Sequence, residues 1–256
     1  MISNNSIRVY LLINVPLFFV AYMYTIVIQL SFIGAVLFTL IRNIGIIKMI
    51  EYSTLHKQVL NANYVYPEGE FLFYVIQGSI IETTTTYLSL PNSVDENIPL
   101  VLLTFIPLSF IFELIFDFFF YWSHRFLHIS HLPWHKVHHE YIHLKPAITF
   151  YQDWVDIVFT VSLPFFLAER IIQSVYLLSP LEYSLLITYK IFTEISGHSG
   201  RDLGRSSGFI QCIWLPRVFS MELYTEDHNL HHRNPSCNFS KRFAFWDKVF
   251  GTYERI

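Results

Sequence analysis

Asp117-Phe-Phe-Phe-Tyr121-Trp-Ser-His124-Arg-Phe-Leu-His128-Ile-Ser-His131-Leu-Pro-Trp-His135-Lys-Val-His138-His139-Glu140 leads out of a long apolar stretch into a cluster of imidazoles. Helix positions four apart lie about 40° apart around the axis, so His124 and His128 project from one face and reach one metal ion. Asp117 and Tyr121 fall in the same stripe. Asp117 sits about 10 Å back along the axis, too far to share the ion. It is a candidate to orient a ligand histidine from behind, or a carboxylate neutralised within a helix bundle. In the second cluster, His135 shares a helix face with both His138 and His139. Those two diverge by about 100° and can serve two metals.

The third cluster, His228-Asn-Leu-His231-His232, repeats the second nearly a hundred residues later. A fourth element is Glu194-Ile-Ser-Gly-His198, with His198 a candidate ligand and Glu194 a candidate ligand or base. Asp227, just before the third cluster, is a further candidate for orienting a histidine. His56 and His131 fit no motif and read as surface residues. Neutral nitrogen ligands suit iron, copper, nickel and zinc, whereas magnesium and calcium favour carboxylates. Four ligands satisfy one zinc, so nine histidines imply two metal ions or a large surplus. The two cysteines, Cys212 and Cys237, lie outside the clusters and read as free thiols, which excludes an iron–sulfur centre. A pair of iron ions fits both count and ligand type, and its use is dioxygen activation. A rival motif overlaps the second cluster: His139-Glu140-x-x-His143 is a formal zinc-protease signature. It leaves seven clustered histidines unexplained, and Pro146 limits the helix just after it.

Composition says where this chemistry sits. The 256 residues are 53% hydrophobic and 14% charged, with a mean hydropathy of +0.39. That points to lipid as the solvent and excludes a disordered or nucleic-acid-binding chain. Eleven of the 12 histidines lie at or after position 124. Residues 9–41 carry no charge and read as one membrane crossing beginning near Pro16, bracketed by Arg8 and Arg42. Apolar stretches at 71–90 and 98–122 read as a helical hairpin. No Lys or Arg lies between Lys57 and Arg125, and the connection 91–97 is acidic, so the positive-inside rule places the flanks in the cytoplasm. Two shorter apolar pieces, 157–168 and 171–189, flank Glu169-Arg170 and contain Pro164 and Pro180. Eight of the 17 basic residues, including Arg205, fall in 198–256.

The expected architecture is an all-α integral membrane protein. About four to five apolar helices carry a cytoplasmic histidine-rich di-metal helical domain. Residues 1–116 form N-terminal transmembrane helices, and 117–256 a catalytic domain with a helical hairpin at about 157–190.

At these residues the sequence resembles the fatty acid hydroxylase superfamily of sterol desaturases, methylsterol oxidases and sphingolipid hydroxylases. The matching segments are 117–128, 132–140, Gly197-His198-Ser199-Gly200, 227–232 and Trp246-Asp247-Lys-Val-Phe-Gly251-Thr252. The resemblance implies an endoplasmic-reticulum membrane enzyme with a cytoplasmic di-iron site. Electrons from NAD(P)H would arrive through a cytochrome b-type carrier or a reductase. It carries ligand roles onto His124, His128, His135, His138, His139, His228, His231 and His232, and onto His198. Some members have a further histidine where this chain has Glu194. The expected activity is O2-dependent hydroxylation or desaturation of a sterol or long-chain lipid held in an apolar channel. Phe119, Phe120, Trp122 and Trp134 are candidates to line that channel. The alternatives are a membrane zinc metalloprotease and a non-catalytic metal-binding protein.

Overall fold

A computed structural model describes residues 4–60, 68–91, 97–203 and 208–255. Regular structure among them is helical apart from two isolated β-bridges, Val59 with Arg201 and Glu222 with Phe243. The helices are α1 (Asn4–Leu30), α2 (Phe32–Ser53), α3 (Glu68–Ser89), α4 (Ile98–Ile129), α5 (Pro133–His138), α6 (Trp154–Asp156), α7 (Leu163–Gln173), α8 (Pro180–Gly197), α9 (Leu215–Val218), α10 (Thr225–Arg233) and α11 (Phe245–Val249). Three of them are long and apolar enough to cross a membrane: Tyr10–Leu30 of α1, α2 and α4.

The uncharged run 9–41 is two helices rather than one crossing. Ser31 takes an extended backbone, and its hydroxyl accepts the Gly34 N–H at 3.1 Å, capping α2. In one straight helix Tyr24 and Arg42 would stand about 27 Å apart. Here the Arg42 guanidinium lies 5.3 Å from the Tyr24 ring, and that ring stacks on Phe38. α1 and α2 are therefore a hairpin. The lack of charge hid the turn, because Ser31 reverses the chain without one.

The expected 71–90/98–122 hairpin also needs correction: α3 packs on α2, and α4 packs on α7. Polar side chains decide this pairing. Asn43 reaches Ser79 at 3.1 Å, Thr83 donates to Thr39 at 3.0 Å, and Arg42 pairs with Glu82. In an apolar medium such groups must find one another across helices. The acidic connection falls largely on 92–96, which, like Arg205, lies outside the described residues.

The short apolar pieces do not divide at Glu169-Arg170. A π turn, Ile157–Ser162, runs into α7, which continues to Gln173, and Pro164 occupies its first turn. Pro180 starts α8, where Ser179 and Glu182 form a reciprocal cap. Residues 180–195 of α8 are all buried, so it is the central helix of the molecule. At 32 residues α4 is about 48 Å long, beyond the ~30 Å of a bilayer core.

Candidate metal centre

α4, α5, α8 and α10 bring all nine predicted histidines together. His124, His128, His135, His139 and His231 converge in one group, and His138, His198, His228 and His232 in another. Within each group one nitrogen per ring lies within 4.8 Å of all the others. The divergence of His138 from His139 on α5 sends them to different groups, and α10 splits His231 from His228 and His232 in the same way. The groups adjoin, with the His139 and His232 rings stacked 4.5 Å apart.

The far side of each ring shows which nitrogen is free. His124 Nδ1 lies 2.7 Å from the Phe239 carbonyl, His231 Nδ1 2.7 Å from that of Cys237, and His198 Nδ1 2.8 Å from that of Glu194. A carbonyl only accepts, so each Nδ1 carries the proton and each Nε2 keeps a bare lone pair. Yet His231 Nε2 is 3.1 Å from His124 Nε2, two lone pairs facing with no proton between them. Nitrogens bound about 2.1 Å from one ion stand about 3.0–3.4 Å apart, which matches this spacing. The second group is equally close, with His228 Nε2 to His198 Nε2 at 3.0 Å and His198 Nε2 to His138 Nε2 at 3.3 Å. Both nitrogens of His232 are buried without a hydrogen-bond partner among the described residues. These residues fit metal cations, and a thiolate-free imidazole set suits a transition metal.

Burial pushes His138, His139, His198, His228 and His232 well below their ordinary pKa, and His231 down to about 3. The rings are thus neutral, as ligands must be. Below about pH 6.5, and down to about pH 3 for His231, the unfolded chain binds more protons at these positions than the folded one. Stability is therefore complete above about pH 6.5 and lost as pH falls, by up to about 1.4 kcal/mol per pH unit for each histidine. Chelator-treated protein in detergent should melt at steadily lower temperature from pH 7 to pH 5; a flat profile would contradict neutral rings.

Of the three acidic candidates, none touches a ligand imidazole through its carboxylate. Asp117 accepts the backbone N–H groups of Lys241, Arg242 and Phe243 at 2.7–3.0 Å. It pins the loop whose Phe239 carbonyl holds His124. Asp247 accepts the Phe239 and Ser240 N–H groups, both at 2.8 Å, and anchors the same loop from the other side. Asp227 accepts the Tyr224 N–H and caps α10. The Glu194 carboxylate is bound by Lys190 and Arg242, both at 3.0 Å, so only its carbonyl serves His198. Gly200, at φ +64, leaves no room for a side chain: a Cβ would stand 1.9 Å from the Leu144 carbonyl oxygen.

The carboxylate that does reach a histidine was not singled out from sequence. Asp156, fully buried, meets His135 Nδ1 at 2.9 Å. Its signal was an acid at the threshold of the apolar piece 157–168, where a charge needs a partner. Asp156→Asn should keep the fold while lowering metal affinity about 10–100-fold, read by competition with a coloured chelator. Unchanged affinity would remove this role.

His139–His143 is not helical, since α5 ends at His138, and neither Glu140 nor His143 belongs to either group. Glu140 instead accepts the Tyr151 hydroxyl at 3.2 Å. His56 and His131 are exposed, as expected.

Two cavities approach the centre. One, of about 700 Å³, opens beside His128, His135 and His139. The other, of about 620 Å³ and mainly apolar, reaches His228 between α1, α2 and α8. None of Phe119, Phe120, Trp122 and Trp134 lines either one. Phe120 packs on His124 instead, with ring centroids 5.0 Å apart.

A sequence profile described as Fatty acid hydroxylase matches residues 109–252, more than half of the chain. The fatty acid hydroxylase vlmA of Lecanicillium sp is 34% identical over 156 residues, 56% of this chain and 40% of that protein. A cholesterol 25-hydroxylase-like protein of Danio rerio is 29% identical over 54% of this chain and 52% of its own length. An alkylglycerol monooxygenase of Danio rerio is 31% identical over 52% of this chain and 28% of its own. The chain thus spans about half or less of these relatives. No solved structure matches.

Proposed function

The chain belongs to the fatty acid hydroxylase family, and from that premise we propose that it is a membrane-bound di-iron oxygenase that hydroxylates or desaturates a lipid. The convergence of nine imidazoles into groups of five and four carries this reading. The relatives' names, which speak of fatty acids, a sterol and an alkylglycerol, agree on lipid oxidation and differ on the lipid.

The proposed ligands are His124, His128, His135, His139 and His231 for one ion and His138, His198, His228 and His232 for the other. When bound, iron supplies the reduction of dioxygen needed to break an unactivated C–H bond. Hydroxylation puts one oxygen atom into that bond and releases the other as water, consuming two electrons and two protons. Desaturation removes two hydrogens, and both oxygen atoms leave as water for the same electron supply.

The protein's part is positional. The carbonyls of Cys237, Phe239 and Glu194, with Asp156, fix the protonated side of four rings and aim their lone pairs inward. The 239–243 loop, clamped by Asp117 and Asp247, keeps water from the rear of the five-histidine group. The apolar cavity at His228 gives a hydrocarbon access from the α1–α2 side.

Residues 1–116 are then the N-terminal membrane helices, and 117–256, including the 157–190 hairpin, the catalytic domain. The basic flanks favour a cytoplasmic site, and the endoplasmic reticulum is the expected membrane. NAD(P)H-derived electrons would come through a cytochrome b-type protein or a reductase. Cells expressing wild-type protein should show an altered sterol, sphingolipid or fatty-acid profile by mass spectrometry, and cells expressing His138→Ala should not. Purified protein should carry two iron ions per chain. Identical profiles would remove the catalytic claim, and one tightly held zinc without iron would point to hydrolysis instead.

A further inference from the structure

The 620 Å³ cavity has two unlike ends. Its outer wall is made by membrane helices, through Leu12 and Ile13 of α1 and Met49 and Ile50 of α2. Leu12 is 74% exposed and Met49 45% exposed, so this end opens where the bilayer would lie. The inner end holds His228 with Lys241, beside the hydroxyls of Thr193, Ser196 and Thr225.

Lys241 is the unexpected residue here. Its ammonium reaches inward to 5.8 Å from the ring of Phe120, which packs on His124, and it lines the cavity together with His228. Its backbone N–H is bound by Asp117, but its ammonium makes no hydrogen bond or salt bridge among the described residues. Glu194, the nearest source of opposite charge, already holds Lys190 and Arg242. A donor with three N–H bonds to satisfy that faces a mainly apolar cavity is costly unless something accepts them.

We propose that this cavity takes a long-chain lipid head first, with its tail between α1 and α2 and an oxygen-bearing end group held by Lys241 beside His228. The end group is a carboxylate, carbonyl or hydroxyl, which accepts hydrogen bonds from the ammonium and from the nearby hydroxyls. The carbon presented to the metal centre is then one next to that group, not one far along the chain. The assignment rests on the oxygenase reading and names which part of a lipid that site receives. The opposite orientation has its own polar contacts, since His56 and Lys57 line the exposed part of the same cavity.

Two photoreactive palmitate probes separate the orientations, one with a diazirine next to the carboxylate and one with it at the methyl end. Full-length protein in lipid nanodiscs is irradiated with each, and labelled peptides are identified by mass spectrometry. The carboxylate-end probe should label peptides bearing Thr193–Gly197 or Tyr224–His228, and the methyl-end probe those bearing Leu12 and Ile13 or Met49 and Ile50. Lys241→Met should weaken saturable labelling by the carboxylate-end probe at least about tenfold, as loss of a charged hydrogen bond implies, and Lys241→Arg should retain most of it. The reverse labelling pattern, labelling indifferent to Lys241→Met, or none that excess palmitate displaces would each overturn the proposal. If Lys241→Met does not fold, the wild-type pattern decides alone. Labelling needs no turnover and no bound metal. Correct labelling without lipid oxidation would therefore sink the oxygenase reading only, and oxidation with reversed labelling would sink this one only.

Discussion

Replacing His231 with alanine is expected to strip metal from the five-histidine group and to abolish lipid oxidation, lowering product formation by at least about 10³-fold. His231 is the hub of that group, with its Nε2 3.1 Å from that of His124 and 3.2 Å from that of His139. Its Nδ1 is fixed by the Cys237 carbonyl at 2.7 Å, which aims the bare Nε2 into the group. Alanine removes one ligand and leaves two lone pairs without the geometry that joined them. Iron per chain and oxygen-dependent lipid product are the two readouts. His131→Ala and His143→Ala should leave both unchanged, because neither residue belongs to a group. Activity retained in His231→Ala would break the site assignment, and activity lost only in His143→Ala would revive the protease motif.

Arg242→Met should be the most damaging change away from the imidazoles. The guanidinium is fully buried and bridges α4 to α8, donating to Glu113 at 2.7 Å and to Glu194 at 3.0 Å. Removing it leaves two buried carboxylates short of a partner, a loss of about 3–5 kcal/mol. For a chain of this size that lowers the melting temperature by about 6–20 °C. Lys190 still holds one oxygen of Glu194, so Glu113 is the worse exposed of the two. Adding Glu113→Gln to Arg242→Met should therefore recover much of the loss. Thermal unfolding in detergent checks both variants, and a double variant no better than the single one would show that the ion pair is not the cause.

Periodicity made the histidines legible. A spacing of three and four residues on a helix has one geometric outcome, and it holds on α4 and α10 and in the short α5. The divergence of His138 from His139 is a property of the helix itself, so two groups were foreseeable from the spacing. The acids behaved differently. Asp117 shares a helix stripe with His124, and Glu194 and Asp227 stand near a histidine in sequence, but Asp117 accepts backbone N–H groups of 241–243, Glu194 is held by Lys190 and Arg242, and Asp227 caps its own helix. Asp156 is 21 residues from the His135 it orients, and only the fold joins them. The Phe239 and Cys237 carbonyls carry no side-chain signature at all.

The membrane part was legible in composition and not in path. Lack of charge in 9–41 identified lipid-compatible helix but could not locate a turn made by one serine hydroxyl. Composition does not separate α8 from a short crossing, because a core helix and a membrane helix are equally apolar. Its buried Lys190 and Glu194 are explained only by Arg242, which arrives from the far end of the chain.

The Ser31 turn has a bearing on how the cavity beside His228 is walled. By folding α1 back on α2, it makes these two helices one wall of the 620 Å³ cavity instead of a tether. The stretch matched by the family profile begins only at residue 109. Leu12, Ile13, Met49 and Ile50 thus lie outside it, while the histidines lie within. The cavity thus takes its outer wall from helices that the profile does not cover, while its inner residues, Lys241 and His228 among them, lie in the matched stretch with all nine histidines.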